Sequence, residues 1–249
     1  MKHTVPTERF LSDLRLTGML TQLHARLKQS QDEKLSHEDC LNLLLQDEAD
    51  HRKNSRIYRL LRLASFKQQV SLEGVDYSLA RGIDKALVSD LSQCRFIKNG
   101  TNILILGPTG VGKSFLASAI GNCACRSGYT TIFSRMNTLL EQSALHRLKG
   151  NYLLFVKKYA SCDLLILDDF GIKPLSPQQF QDLYDILDER SEEKATIITS
   201  QLLPQNWSEV IPDPITCEAI TDRLVSKGMT IQMKGQSYRK KKKEKLDQV

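Results

Sequence analysis

The sequence predicts an α/β fold in which a five-stranded parallel sheet is preceded by a small all-helical N-terminal domain. From about residue 101 onward, short β-rich runs alternate with helix-compatible stretches at the spacing of a parallel sheet. A glycine-rich loop follows the first of these runs. In the preceding part of the chain, leucines recur at helical spacing instead.

The alternation divides the chain into four predicted segments. These are a helical domain over 1–70, a connector over 71–100, the α/β domain over 101–238 and a basic tail over 239–249. The predicted strands are 102–106, 129–133, 164–167, 196–199 and 229–233. Besides the helix after the glycine-rich loop, helices are expected at 136–149, 177–193 and 218–227.

The N-terminal domain is predicted from three apolar stripes. Leucines between Leu11 and Leu23 form the first stripe, a leucine run over 41–45 forms the second, and the third lies within 50–67. In this last segment, spacings of four, three and three residues place four arginines on one helix face: Arg52, Arg56, Arg59 and Arg62. Such a face is either simply solvated or a contact for nucleic acid or a partner.

Composition and charge limit the function classes. The 249 residues carry a net charge of +6, and the tail from Arg239 contributes six basic against two acidic residues. That tail is either a solvated end or a phosphate contact for nucleic acid. No apolar stretch approaches the roughly 20 residues of a membrane helix, and the N-terminus lacks a signal peptide pattern, so a cytoplasmic protein is expected. The six cysteines form no metal-ligand spacing and are expected to be reduced packing residues.

The glycine-rich loop fits the phosphate-binding pattern Gly-x-x-x-x-Gly-Lys-Ser/Thr at every fixed position. Its backbone N–H groups would surround phosphate oxygens, Lys113 would contact the β and γ phosphates, and Ser114 would ligate Mg²⁺. A turn that only joins a strand to a helix does not need Lys and Ser after the second glycine. The predicted nucleotide contacts are Gly107, Pro108, Thr109, Gly110, Val111, Gly112, Lys113, Ser114 and Phe115.

Hydrolysis also requires a metal anchor and a group that aligns water. The apolar run 164–167 ends in Asp168 and Asp169. Asp168 is expected to hold Mg²⁺ together with Ser114, and Asp169 is expected to polarise the attacking water. Alternatively, the two aspartates only cap the strand.

A second polar strand end comes from Ser200 and Gln201, which follow the run 196–199. In P-loop ATPases with an inserted strand, this last strand lies between the loop strand and the metal strand, so both residues are candidate γ-phosphate sensors. Ordinary turn chemistry is the alternative. The chain contains no Asn-Lys-x-Asp motif for guanine, which favours ATP over GTP.

Together with Asp222-Arg-Leu224 and Ser237-Tyr-Arg239, these motifs resemble the IstB-like ATP-binding proteins. That family comprises AAA+ helper ATPases of bacterial insertion sequences and is similar to the helicase loader DnaC. The resemblance covers about Leu11 to Arg239. The P-loop is shared by countless ATPases, whereas Asp-Asp-Phe-Gly and the two C-terminal motifs are more specific to this family.

The resemblance implies a P-loop NTPase of AAA+ type that uses ATP and Mg²⁺. It implies that the chains assemble head to tail into a homo-oligomeric ring or spiral on duplex DNA. This oligomer would recruit and activate a partner transposase. Arg223 stands in the position of the arginine that a neighbouring subunit donates to the nucleotide, although a helix-surface arginine is the alternative. Asp169 stands where many AAA+ proteins have Glu, and this shorter side chain predicts slow hydrolysis without DNA or partner.

DNA contacts are expected from cationic residues outside the nucleotide site. Contact with the phosphate backbone and deformation of the duplex would supply binding with little base readout. Arg239 occupies the late basic position of the family, for contact with either nucleotide or DNA. The candidates are Arg52, Arg56, Arg59, Arg135, Arg147, Lys149 and Arg239, together with His146.

Three other functions share parts of this pattern. A loader of a replicative helicase would have the same site chemistry and a different partner, and a pull-down would separate the two. A small-molecule kinase would need an acceptor pocket and a lid, neither of which the sequence suggests. An ATP-binding module without hydrolysis would be unaffected by Asp169→Asn.

Overall fold

The computed structural model describes residues 6–68, 70–75, 82–190, 193–211, 213–235 and 237. The chain forms two compact units, Met1–Arg59 and Leu60–Val249. The second unit therefore begins at Leu60, inside the segment predicted as the N-terminal domain. It also takes in the described residues of the predicted connector.

The first unit is helical. Helix α1 spans Pro6–Asp13, α2 spans Thr17–Asp32, and α3 spans His37–Ala64 and extends into the second unit. The core of the unit consists of Leu11, Met19, Leu23, Cys40 and Leu44. The second and third predicted stripes lie on one continuous helix, because no glycine or proline interrupts residues 37–64.

The second unit contains a five-stranded parallel sheet, as predicted. Its strands are β1 (Asn102–Leu106), β2 (Thr131–Arg135), β3 (Leu164–Phe170), β4 (Ala195–Ser200) and β5 (Gly228–Gln232). The order is β2-β3-β4-β1-β5, and every neighbouring pair is parallel. The expected position of β4, between β1 and β3, is confirmed. Because all strands run in one direction, their carboxyl ends meet at one edge of the sheet.

Helices cover both faces of this sheet. They are α4 (Lys85–Ser92), α5 (Arg95–Lys98), α6 (Lys113–Arg126), α7 (Met136–Leu148), α8 (Tyr152–Ser161), α9 (Pro177–Arg190) and α10 (Pro214–Val225). Short 3₁₀ turns occur at Leu72–Gly74 and Pro204–Glu209. Helices α4 and α5 lie in the predicted connector, and α8 has no counterpart in the sequence prediction.

Alternating strand residues divide the core into two layers. Leu104, Leu165 and Ile198 point to the layer that includes side chains of α7, α8, α9 and α10. Ile103 and Ile166 point to the layer that includes side chains of α4, α5 and α6. Period-two alternation thus gives each strand two buried faces, as expected for a parallel sheet between helices.

The described residues contain neither a membrane-spanning helix nor a disulfide. None of their helices is long and apolar enough to span a membrane. All six cysteines are free thiols. No group of three or more His, Cys, Asp or Glu side chains among these residues could hold a metal ion by itself.

Candidate nucleotide site

The glycine-rich loop joins the carboxyl end of β1 to the first turn of α6. Gly107, Gly110 and Gly112 have φ angles of 150°, 83° and 103°, which side chains with a Cβ rarely adopt. At Gly107 an added Cβ would also collide with the backbone oxygen of Met233. The loop therefore depends on glycine both for its backbone angles and for its fit against the residue after β5.

Lys113, the first residue of α6, folds back over the loop. Its Nζ donates to the backbone oxygens of Gly107, at 2.8 Å, and Pro108, at 3.0 Å. The side chain is buried, with 7% exposed, and this burial lowers the pKa of its ammonium group, while the carboxylates of Asp169 and Asp168 act in the opposite direction. A cation is therefore positioned beside the loop and in the field of both aspartates.

Asp168 and Asp169 lie at the carboxyl end of β3, on the same edge of the sheet as the loop. Asp168 is buried, and its Oδ1 accepts a hydrogen bond of 2.7 Å from the hydroxyl of Thr199 on β4. The backbone N–H of Asp169 donates to the same hydroxyl at 3.0 Å. Thr199 thus connects the carboxylate of Asp168 with the backbone of Asp169, and the sequence prediction had not included its side chain in the site.

Asp169 has a left-handed backbone, with φ 63°, and its side chain is 38% exposed. Arg135, the last residue of β2, lies close to it, with 3.9 Å between Nε and Oδ2. A predicted DNA contact and the predicted water-polarising residue are therefore within ion-pair distance. This contact could not be expected from local sequence, since 34 positions separate the two residues.

Ser200 and Gln201 lie at the carboxyl end of β4 but have different partners. The Ser200 hydroxyl donates to the backbone oxygen of Phe170 at 2.9 Å and accepts from the N–H of Leu202 at 3.0 Å, so it is engaged in the turn. Gln201 Oε1 accepts from the hydroxyl of Thr109 in the loop, at 2.8 Å. Of the two sensor candidates, Gln201 is therefore the one whose side chain contacts the loop.

The predicted magnesium ligands are a hydroxyl and a carboxylate. Ser114 lies in the first turn of α6 and Asp168 at the end of β3, both on the loop edge of the sheet. Oxygen donors suit Mg²⁺, which is commonly bound by one or two protein groups together with substrate phosphates and water. The described residues contain no metal-binding group of three acidic, histidine or cysteine side chains. Ser114 and Asp168 therefore suit a Mg²⁺ ion whose remaining ligands come from the nucleotide phosphates and water.

Arg223, on α10, lies at the opposite edge of the same sheet. Its backbone oxygen accepts from Nδ2 of Asn102, the first residue of β1, at 2.9 Å. Its guanidinium donates to Asp188 at 2.5 Å and to the hydroxyl of Tyr184 at 2.9 Å. The four steps from Asn102 to Leu106 along β1, at about 3.3 Å each, separate this edge from the loop by about 13 Å. The structure therefore does not bring Arg223 to the nucleotide site of its own chain.

The DNA candidates around α7 have different surroundings. The Arg147 guanidinium contacts Asp182 at 2.6 Å and stacks over the Tyr152 ring at 3.5 Å from the centroid, so it serves the packing of α7 against α8 and α9. Nδ1 of the His146 ring donates to the side-chain oxygen Oδ1 of Asn151 at 2.7 Å. Lys149, which caps α7, is exposed.

Three of the four arginines on the α3 face, Arg52, Arg56 and Arg59, lie in the first unit, and Arg62 lies in the second. Arg52 pairs with Glu48 at 2.6 Å, and the other oxygen of Glu48 accepts the N–H of Gly18 at 2.7 Å in the first turn of α2. Arg52 therefore stabilises a buried carboxylate while its own side chain remains 63% exposed. Arg56 and Arg59 are exposed on the same helix. The last candidate, Arg239, lies outside the described residues.

Comparisons with known proteins agree with this fold and loop. The family model of the IstB-like ATP binding protein matches residues 9–246. An insertion sequence ATP-binding protein of Sinorhizobium fredii is 38% identical over 240 residues, covering 96% of this chain and 98% of the relative. An ATP-binding protein in an insertion sequence of Mycobacterium tuberculosis is 32% identical over 234 residues, covering 94% and 93%.

Solved structures share the fold at lower identity. AMPPCP-bound DnaA from Aquifex aeolicus has a TM-score of 0.58 at 24% identity, over 74% of this chain and 56% of the DnaA chain. The DnaC helicase loader has a TM-score of 0.53 at 18% identity, over 71% of this chain and 99% of the loader. These likenesses establish a P-loop fold of AAA+ type, and with the family match they show that the chain belongs to the IstB-like ATP-binding proteins of insertion sequences.

Proposed function

We propose that this chain is an ATPase that assembles head to tail on duplex DNA and, in that assembly, recruits and activates a partner transposase. One observation carries the proposal. Lys113, Asp168 and Asp169 lie at the carboxyl edge of the sheet, whereas Arg223 lies at the amino edge. Each chain would thus present an incomplete nucleotide site at one end and the completing arginine at the other.

At the carboxyl edge, the residues suit ATP bound with Mg²⁺. Lys113 would contact the β and γ phosphates, and Ser114 and Asp168 would hold Mg²⁺, which neutralises phosphate charge. Asp169 would polarise water. A cleft of about 430 Å³ lies beside the loop and is lined in part by Gly107 and Gln201, which leaves room for the rest of a nucleotide.

At the amino edge, Arg223 would act on the nucleotide of a neighbouring chain. Its contacts with Tyr184 and Asp188 hold the guanidinium on the surface of α9, with the side chain 27% exposed. An arginine supplied in trans stabilises charge on the transferring phosphoryl and can increase the rate a thousandfold or more. To do so here, the arginine would have to exchange its Asp188 partner for phosphate when the neighbour docks.

The DNA surface is proposed around the α7–α8 turn. Residues 142–162 contain no Asp or Glu, and their exposed cations are Lys149, Lys157 and Lys158. Arg147 is a weaker candidate than these lysines, because its side chain is only 33% exposed and is paired with Asp182. Lysines that contact DNA phosphates release counterions, so binding should weaken steeply as salt rises. The α3 face with Arg52, Arg56 and Arg59 is a second candidate surface.

Arg135 links this DNA surface to hydrolysis. In the free chain its guanidinium competes with water for Asp169, because the two groups lie 3.9 Å apart. A DNA phosphate that attracts Arg135 would release Asp169 to polarise water. This exchange would slow hydrolysis without DNA further, in addition to the effect expected from the short Asp169 side chain.

A mixing experiment tests the shared site. Lys113→Ala should prevent ATP binding and Arg223→Ala should prevent hydrolysis, so each variant alone is inactive. When the two are mixed, an Arg223→Ala chain binds ATP and receives the arginine of a Lys113→Ala neighbour, so turnover should reappear. A chain carrying both substitutions, mixed with Lys113→Ala, is the control without rescue. Arg223→Ala alone retaining full activity would refute the trans role.

Measurement of ATPase rate and particle size with and without duplex DNA tests the DNA-dependent assembly. Both should increase with DNA and ATP, and no DNA effect on either would contradict the proposal. A loader of a replicative helicase is the second candidate, favoured by the fold shared with DnaC. Two pull-down experiments decide between these partners, one with the transposase of the same insertion sequence and one with a hexameric replicative helicase. The partner that this chain retains is the one that it serves.

A further inference from the structure

Thr199 lies between the two aspartates and has no exposed surface. Its hydroxyl donates its proton to Oδ1 of Asp168 at 2.7 Å. The hydroxyl oxygen of Thr199 accepts a hydrogen bond from the backbone N–H of Asp169 at 3.0 Å. One side chain thus contacts the carboxylate of the first aspartate and the backbone of the second.

These two bonds constrain both acids. A threonine side chain has few χ1 rotamers, and Thr199 is buried in a central strand, so its hydroxyl is a rigid reference point. A hydrogen bond at Oδ1 fixes the rotation of the Asp168 carboxylate and therefore the direction of Oδ2. The bond to the N–H of Asp169 anchors a residue whose left-handed backbone is unfavourable for a side chain of this type.

The three residues at the end of β4 have separate tasks. Ser200 closes the turn with Phe170, and Gln201 contacts Thr109 in the loop. Of these three described side chains, only that of Thr199 hydrogen-bonds to the aspartates of β3. Thr199 therefore contacts the aspartates, whereas its neighbours Ser200 and Gln201 were predicted to sense the γ phosphate.

We propose that Thr199 is a positioning residue that orients Asp168 toward Mg²⁺ and fixes the starting point of the Asp169 side chain. The inference rests on the proposed ATPase function. Thr199 itself would touch neither nucleotide nor metal. Residues that hydrogen-bond to a metal ligand and orient it typically contribute ten- to a hundredfold to metal affinity or activity.

Two substitutions separate this role from simple packing. Thr199→Val keeps the shape and removes the hydroxyl, whereas Thr199→Ser keeps the hydroxyl and removes a methyl group. We expect the Val variant to lower kcat about ten- to a hundredfold and to raise the Mg²⁺ concentration for half-maximal turnover by a similar factor. The Ser variant should retain most of the kcat and most of the Mg²⁺ affinity of the unmodified chain. Thr131→Val, at a buried threonine at the amino end of β2, is the matched control and should leave both unchanged.

A binding measurement gives a readout that does not need turnover. A fluorescent ATP analogue is titrated with and without Mg²⁺ against each variant. Thr199→Val should reduce the gain in affinity that Mg²⁺ provides, while affinity without Mg²⁺ stays within about twofold, as expected when only the metal ligand is misoriented.

The outcomes distinguish the inference from the proposed function. Equal losses in the Val and Ser variants, or a loss of metal-free affinity with an unchanged Mg²⁺ effect, would assign Thr199 to packing and overturn the inference. If the unmodified chain bound Mg²⁺ and nucleotide without any turnover, the ATPase proposal would fail. The Mg²⁺ effect on binding would still decide the role of Thr199.

Discussion

Replacement of Arg135 by glutamine should increase ATP hydrolysis in the absence of DNA. The substitution removes the positive charge 3.9 Å from Asp169 and leaves a shorter, uncharged polar side chain. Asp169 would then be free to polarise water without first breaking an ion pair. The same substitution should reduce the stimulation that DNA provides, because the exchange of partners no longer occurs.

The size of the effect follows from the exposure of the pair. The Arg135 and Asp169 side chains are 50% and 38% exposed, so solvent screens their attraction. Exposed pairs of this kind contribute about 0.2–1 kcal/mol. If the pair must break before the transition state, its removal lowers the barrier by that amount and raises the DNA-free rate about 1.4- to 5-fold.

The assay is steady-state phosphate release at saturating Mg²⁺-ATP, measured with and without duplex DNA at fixed salt. Lys149→Gln is the matched control, because it removes one exposed positive charge near the same surface and has no contact with Asp169 in the described structure. This control should weaken DNA binding and leave the DNA-free rate unchanged. A DNA-free rate that is unchanged or reduced in Arg135→Gln would refute the coupling.

Three further outcomes are expected. Asp169→Asn should abolish turnover and retain ATP binding, which a filter-binding assay checks, and unaltered turnover would favour a module that does not hydrolyse ATP. Gly107→Ala should reduce nucleotide affinity at least tenfold in the same assay, since an added Cβ collides with Met233; affinity near that of the unmodified chain would contradict the tight loop. Arg190→Met should lower the free energy of unfolding by about 3–5 kcal/mol in denaturant titrations, because it leaves several buried carbonyl oxygens without a donor. The exposed Arg126→Met should cost far less, and equal losses would contradict this account of Arg190.

The parts of the site that local sequence determines were predictable. The loop needs its glycines, Lys113 and Ser114 in consecutive positions, and the apolar run 164–167 delivers Asp168 at a strand end. Parallel strands then bring both to one edge of the sheet. The five strands followed from the alternation of strands and helices, whereas the position of β4 between β1 and β3 followed from the likeness to P-loop ATPases with an inserted strand.

Contacts between distant residues were not predictable. Every residue of β4 is buried, so no alternation of polar and apolar residues indicates which side chain faces β3, and Thr199 was missed for this reason. Arg147 was expected on DNA, but its partner Asp182 lies 35 positions away. Helix α8 was missed because Leu153 and Leu154 are exposed while Phe155 and Val156 are buried, so apolar residues on both faces obscure the helical period.

The positions of the P-loop and Arg223 at opposite edges of one sheet have a consequence for stoichiometry. If each nucleotide is completed by the next chain, a closed ring of n chains has n complete sites, whereas an open spiral has n − 1. The terminal chain of a spiral would hold an ATP that no arginine reaches. Counting rapidly and slowly hydrolysed nucleotides per particle would therefore reveal whether the assembly closes on itself, and a growing spiral would keep one ATP-bound end ready to accept another chain.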